Sequence, residues 1–113
     1  MESFELEFLG ESETKYKFTI YPIHNDFTDI RAVYCFLSED YDVLYVGESK
    51  QIKTRFSNHH QTECIDNNGG VYVGILEMPR STKKTRVDVE TDIRHFYAPP
   101  CNEQGISNPD EED

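Results

Sequence analysis

Hydrophobic and polar residues alternate in two short segments near the start of the chain. Residues 2–9 and 16–21 both follow a period of two, and a polar stretch that contains Gly10 separates them. This period is typical of β-strands with one buried face. We therefore predict an N-terminal β-hairpin that adds strands to the edge of a larger sheet.

Two further runs, residues 32–37 and 43–47, combine aromatic and branched residues and predict a second hairpin. With residues 38–41 as its loop, Tyr34 lies directly opposite Tyr45. The other face of this hairpin is then apolar throughout, with Val33, Cys35, Leu37, Leu44 and Val46. Gly47 ends the second strand, where a residue without a side chain permits a sharp turn or a close approach.

A helix is predicted to begin near Ser49, which is a suitable N-cap residue. Ile52 and Phe56 share its buried stripe, while Arg55 and His59 share the adjacent stripe. We therefore expect two phenols, a guanidinium and an imidazole to border one cavity. The helix N-terminus nearby adds free N–H groups that suit a phosphate.

The second half of the chain predicts a link, a strand and a helix. Residues 61–70 are rich in turn formers, and residues 71–76 form an apolar run suited to a central strand. A helix is predicted over residues 81–97, capped by Ser81 or Thr82. Its apolar positions, spaced for one buried face, are Val89, Ile93, Phe96 and Tyr97.

Charged and polar residues on and after this helix have ordinary structural interpretations. Arg86 and Glu90 stand four positions apart, the spacing of a surface ion pair on a helix. Pro99 and Pro100 end the helix. Asn102 follows them and is suited to a turn.

Six of these features, taken together, resemble the GIY-YIG nuclease superfamily. In chain order they are Ala32-Val33-Tyr34, Tyr45-Val46-Gly47, Arg55, His59, Glu90 and Asn102. Ala32 departs from the family, which usually has glycine there. The resemblance implies an α+β fold with a small mixed, mainly antiparallel three-stranded sheet flanked by helices, extended by the N-terminal hairpin. The nuclease-like domain would span residues 31–103, with residues 1–30 as its strand extension and residues 104–113 as an acidic disordered tail.

The resemblance also implies a metal-dependent endonuclease that hydrolyses phosphodiester bonds in DNA. Tyr34 would act as general base, Arg55 would stabilise charge on the phosphate, and Glu90 would bind Mg²⁺ or Mn²⁺. Tyr45 and His59 would complete the catalytic set. Asn102 would support the site by packing on it.

A tyrosine that acts as a general base at neutral pH needs a pKa below its usual value. We expect the charge of Arg55, the metal, and a hydrogen bond from Tyr45 or His59 to lower the pKa of Tyr34. The same residues also have a plainer interpretation. Tyrosines on strands usually pack in the core, and an arginine on a helix is usually solvated.

The net charge of the 113-residue chain is −11 at pH 7, although phosphate contacts normally supply most of the affinity for nucleic acid. Acidic residues concentrate at residues 2–13 and 110–113, whereas residues 50–55 and 80–86 contain basic residues and no acid. We expect these two basic clusters to flank the cavity. The predicted DNA contacts are Gly47, Lys50, Lys53, Lys83, Lys84 and Arg86.

A second interpretation keeps the fold without the catalysis. The chain would then be a catalytically silent binding or inhibitory module whose acidic surface engages a protein. The nuclease interpretation also leaves room for a protein partner that supplies specificity, because nothing outside the core resembles a separate DNA-reading module.

Three cysteines without regular spacing, Cys35, Cys64 and Cys101, favour reduced thiols in a cytosolic protein. Cys64 with His59, His60 and Cys101 is an alternative zinc site, although its spacing does not match the common paired motifs. No run is apolar and long enough to span a membrane, and no leader pattern begins the chain. We therefore expect a soluble cytoplasmic protein without a membrane partner.

Overall fold

The computed structural model describes residues 3–57 and 62–102. Across these residues the chain forms a five-stranded sheet, three α-helices and a 3₁₀ turn. The strands are β1 (Phe4–Leu9), β2 (Lys15–Pro22), β3 (Ala32–Ser38), β4 (Val43–Ser49) and β5 (Gly70–Glu77). The helices are α1 (Ile52–Ser57), α2 (Thr62–Asn67) and α3 (Lys83–Tyr97), and the 3₁₀ turn is Pro100–Asn102.

The strand order is β1-β2-β5-β3-β4, and every pair among these strands is antiparallel. The predicted α+β class and the N-terminal hairpin are confirmed. The sheet, however, has five strands and not three, because β2 pairs with β5 and joins the hairpin to the rest. The predicted mixed sheet is also wrong for the described strands. β4 lies at one edge, a position that matters for the candidate site.

The β3–β4 hairpin has a different register from the predicted one. Tyr34 pairs with Gly47, and Tyr45 pairs with Phe36. The Ser38 N–H donates to the Asp42 carbonyl, so the loop has three residues, and the last of them, Tyr41, adopts a φ of 68°. The register also shifts after Phe36. This irregularity places Leu44 on the same face as Tyr34, not on the opposite face.

Hydrophobic side chains cover both faces of the sheet. On one face, α1 and α2 pack over a cluster that includes Ala32, Tyr34, Phe36, Tyr45, Ile52 and Ile65. On the other face, α3 packs over a cluster that includes Phe18, Val33, Cys35, Leu37, Val46 and Ile93. The sheet therefore lies between α1 and α2 on one side and α3 on the other.

The buried face of α3 matches the predicted apolar face only in part, since Ile93 is buried and Val89 and Tyr97 pack against the same cluster. Thr82 is its N-cap, as expected, but its buried residues are Arg86, Glu90 and Ile93. Phe96 is instead 49% exposed. Two of the three buried side chains are thus ionisable, and a search for apolar periodicity cannot find these two.

A short helix and a disulfide replace the predicted link and the predicted reduced thiols. α2 lies within residues 61–70 and buries Ile65. Cys64 of this helix is joined to Cys101 of the 3₁₀ turn, with their Cα atoms 5.7 Å apart. Both sulfur atoms are therefore engaged, which leaves the alternative zinc site without its thiolates. Cys35 is the free cysteine of the three, and it is buried.

Within the described residues, no helix is long and apolar enough to cross a membrane.

The disulfide makes a stability prediction. It links residues 37 positions apart, and a loop of that length stabilises the folded state by about 4 kcal/mol through the entropy of the unfolded chain. We expect the Cys64→Ser/Cys101→Ser variant to lose about this much unfolding free energy in urea titrations, with no further loss when reductant is added. Denatured, unreduced wild-type protein should expose one reactive thiol, and three thiols would contradict the disulfide.

Candidate functional site

Tyr34 and Tyr45 lie side by side on the face covered by α1. Their rings are stacked with centroids 6.1 Å apart, and Phe56 of α1 packs edge-on against Tyr34 at 5.0 Å. A Cβ atom on Gly47 would lie 2.6 Å from the hydroxyl of Tyr34 and 2.8 Å from the ring of Tyr45. Glycine at position 47 is therefore required for the two phenols to lie against the edge strand.

The segment before α1 fixes the helix that carries Arg55. The Ser49 hydroxyl accepts a hydrogen bond from the Gln51 N–H at 2.9 Å. The Asp29 carboxylate accepts from the N–H of Thr54 at 2.9 Å and from its hydroxyl at 3.1 Å. The Asp29 carboxylate therefore already occupies the N-terminus of α1, where we had expected a phosphate to bind.

Arg55 influences the pKa of both phenols. Burial raises the pKa of Tyr34 well above its usual value, while the charge of Arg55 and its hydrogen bond to Tyr34 lower that pKa. Burial likewise raises the pKa of Tyr45, and Arg55 again opposes the rise. The expected direction for Tyr34 is therefore reversed in the protein alone, because Tyr34 is fully buried and loss of hydration outweighs one nearby cation.

Glu90 brings a carboxylate from α3 to the same site. Glu90 is only 3% exposed. Burial raises its pKa to about 7, while Arg94 is the strongest influence that lowers it. The Arg94 guanidinium lies 3.7 Å from the carboxylate, which is too long for a hydrogen bond. The charge of Glu90 also raises the pKa of both Tyr34 and Tyr45, so all three residues share one neighbourhood.

Glu48 is a residue of this region that sequence reasoning missed. It is 3% exposed on β4, and its two carboxylate oxygens accept from different cations. Arg86 donates through Nε to Oε1 at 2.9 Å, and Lys83 donates through Nζ to Oε2 at 2.9 Å. Arg86 also donates to the carbonyl and hydroxyl oxygens of Ser81. We call Glu48, Arg86 and Lys83 the Glu48 network.

This network changes the interpretation of two predicted DNA contacts. Arg86 is fully buried, so it is neither the surface partner of Glu90 nor positioned to meet DNA. Lys83 has a side chain that is 28% exposed, but its ammonium already pairs with Glu48. A signal for the network existed in the sequence, since Glu48 directly follows Gly47 at the candidate site.

Asn102 holds the free edge of β4. Its side-chain Oδ1 accepts from the Val46 N–H at 2.8 Å, and its Nδ2 donates to the Val46 carbonyl at 2.9 Å. The amide thus acts like one residue of a neighbouring strand. Because Val46 lies between Tyr45 and Gly47, Asn102 fixes the backbone next to both.

The remaining predicted residues lie around this site or outside the described chain. Lys53 is exposed on α1, and Lys50 is half-buried just before that helix. Lys84 is exposed at the start of α3 and pairs with Asp88 at 3.1 Å. His59 and residues 104–113 lie outside the described residues.

The donor set fits a divalent cation that needs few ligands from the protein. Among the described residues, no group of three or more His, Cys, Asp and Glu side chains is placed to hold a metal. Glu90 is a single buried carboxylate whose ionised form is disfavoured by burial, and a cation would favour that form. Mg²⁺ suits such a site, since it keeps several waters and is completed by substrate phosphates.

No family model matches this chain, and no similar protein was found among curated proteins or solved structures.

The raised pKa of Glu90 predicts a pH-dependent stability. The folded value of about 7 exceeds the usual 4.5, so between these pH values the folded state binds more protons and the unfolding free energy falls as pH rises. In metal-free buffer, Glu90→Gln should be more stable than wild type at pH 8, by up to about 3 kcal/mol, and equally stable at pH 4. Urea titrations at both pH values measure the difference.

The control for this prediction is Asp88→Asn, which removes an exposed carboxylate from the same helix. It should leave stability nearly unchanged at both pH values. A Glu90→Gln variant with the same stability difference at pH 4 and pH 8 would contradict a raised pKa.

Proposed function

We propose that this protein is a metal-dependent endonuclease that hydrolyses phosphodiester bonds in DNA, with a site of the GIY-YIG type. The observation that carries the proposal is the convergence of Tyr34, Tyr45, Arg55 and Glu90, which come from two strands and two helices. Arg55 lowers the pKa of each of the other three. The order of these residues along the chain, which resembles the GIY-YIG nucleases, supports the same function.

Each side chain has a distinct role in the proposed reaction. Arg55 pairs with the phosphate oxygens and offsets the negative charge that builds on them. Glu90 holds the divalent cation, Mg²⁺ or Mn²⁺, which supplies Lewis-acid stabilisation of the phosphate and the leaving oxygen. Tyr45 packs against Tyr34 and orients it. His59 is kept in the proposed set on the basis of the resemblance.

Tyr34 is the proposed general base, and its burial sets a condition on that role. In the protein alone its phenol keeps its proton at neutral pH, because its pKa is well above the usual value. Arg55 is the neighbour that favours the phenolate. The proposed rate therefore rises with pH as the phenolate fraction of Tyr34 grows.

The proposed DNA path follows α1 and the exposed start of α3. Lys50, Lys53 and Lys84 remain as phosphate contacts, and Gly47 contributes by its lack of a side chain. Lys83 reaches a phosphate only by leaving Glu48. Arg86 is not included, because it is fully buried.

The catalytically silent module remains a second candidate, and a specific observation favours it. The Glu48 network engages two of the cations expected to bind DNA, and the net charge of the chain is −11. Because Lys83 and Arg86 pair with Glu48 inside the protein, fewer cations face DNA. This arrangement suits a partner other than DNA. This partner would be a basic protein surface.

A cleavage assay separates the two candidates. We expect wild-type protein to cut plasmid, linear, branched or single-stranded DNA with Mg²⁺ or Mn²⁺, and not with chelator. Glu90→Gln should abolish cleavage, and Tyr34→Phe should lower kcat by about 100-fold or more with little change in KM, because the phenyl ring keeps its packing. Gel electrophoresis and single-turnover kinetics measure both effects.

The matched control is Asp88→Asn, whose carboxylate is exposed on α3 and which should cut at the wild-type rate. Absence of cleavage on all four substrates by folded wild-type protein would favour the silent module. Full activity in Glu90→Gln would remove Glu90 as the cation ligand.

A further inference from the structure

The structure offers a role for the Glu48 network that stability alone does not explain. Glu48 and Arg86 form an ion pair in which both side chains are almost completely buried. Replacing such a pair with apolar residues is often neutral or stabilising, since two charges must be removed from water. The next buried position of α3 beyond Glu90 is the apolar Ile93, so an apolar contact is also compatible with this interface.

The ion pair does provide a fixed geometry. Glu48 accepts from Arg86 on one oxygen and from Lys83 on the other. The guanidinium of Arg86 is held from a second side by two oxygens of Ser81, at 3.0 and 3.2 Å. A planar guanidinium bonded in two directions resists both sliding and rotation, which an apolar side chain does not.

The elements joined by this pair are those that carry the candidate site. Arg86 and Glu90 are one helical turn apart on the buried face of α3. Glu48 directly follows Gly47 on β4, the strand that also carries Tyr45. Tyr45 and Glu90 thus meet across a junction between a helix and an edge strand, and the Glu48–Arg86 pair is a buried polar contact within that junction.

We propose that Glu48 and Arg86 are positioning residues, whose ion pair sets the rotation and height of α3 so that the Glu90 carboxylate faces the two phenols on β3 and β4. This inference rests on the proposed function, because it assigns the pair to the same site. Glu48 itself contacts neither the substrate nor the metal ion in the proposed site. Lys83 completes the network by donating to the second oxygen of Glu48.

The test compares two double variants, each of which removes one ion pair. Glu48→Leu/Arg86→Met replaces the buried pair with apolar side chains and leaves Lys83 able to reach water. Glu5→Ala/Lys17→Ala removes an exposed ion pair on the N-terminal hairpin, at the end of the sheet away from β4, and serves as the control. For each variant and for wild type, we measure thermal stability, Mn²⁺ affinity by electron paramagnetic resonance, and kcat and KM on DNA.

We expect the buried double variant to remain as stable as wild type or nearly so, while its Mn²⁺ affinity falls by about 10- to 100-fold, the usual effect of removing residues that orient a ligand. Its kcat should fall with little change in KM. The control should match wild type in all measurements. A folded buried variant with wild-type Mn²⁺ affinity and kcat would overturn the proposal and leave the pair a structural feature.

Two further outcomes are decided by the same data. If the buried double variant unfolds, Glu48→Gln is measured instead, since it keeps the side-chain volume, and unchanged Mn²⁺ affinity in it overturns the proposal. If wild type binds Mn²⁺ but does not cut DNA, the nuclease function fails while Mn²⁺ affinity still decides the positioning role. Wild type that binds no Mn²⁺ overturns both.

Discussion

The buried ion pair between Glu48 and Arg86 is the contact on which the arrangement of the candidate site depends. Both side chains are removed from water, so loss of either partner leaves a buried charge without its counter-ion, an effect typically worth about 3–5 kcal/mol. The pair also fixes the face of α3 that meets the sheet. With Arg86 directed at β4, Glu90 follows one turn later toward the same strand.

β4 is the strand that receives these constraints, and it lies at the edge of the sheet. Asn102 occupies its outer backbone at Val46, so the edge is closed where it borders the site. The disulfide holds the turn that carries Asn102 against α2. Gly47 then lets the phenol of Tyr34 lie directly on the strand. An edge strand held in this way keeps aromatic, basic and acidic groups from both faces close together.

Much of the secondary structure could be predicted because it follows local rules. Alternation predicted the N-terminal hairpin, a continuous apolar run predicted the central strand, and the Thr82 cap and proline pair delimited α3. The register of the β3–β4 hairpin could not be predicted, because Tyr41 adopts a positive φ that its residue type does not favour. α2 was missed because a helix this short has a single buried residue, Ile65.

The candidate site was predicted only in part, because several of its residues are charged and yet buried. Its two tyrosines share one face of the sheet, as predicted, although they are not directly opposite each other. The burial of Arg86 and Glu90 on α3 was missed because periodicity assigns charged residues to solvent. Glu48 was missed because a glutamate near a strand end is usually exposed. Departures of this kind, where local rules and the fold disagree, are typical of functional sites.

The most direct measurement of the central claim, that Glu90 is the buried cation ligand of this site, is a crystal structure of the protein grown with Mn²⁺ and recorded with anomalous scattering. The account predicts an anomalous peak in direct contact with the Glu90 carboxylate, beside Tyr34 and Arg55, and no peak there in Glu90→Gln. A peak only on exposed carboxylates such as Asp88, or a peak at the site that persists in Glu90→Gln, would contradict it.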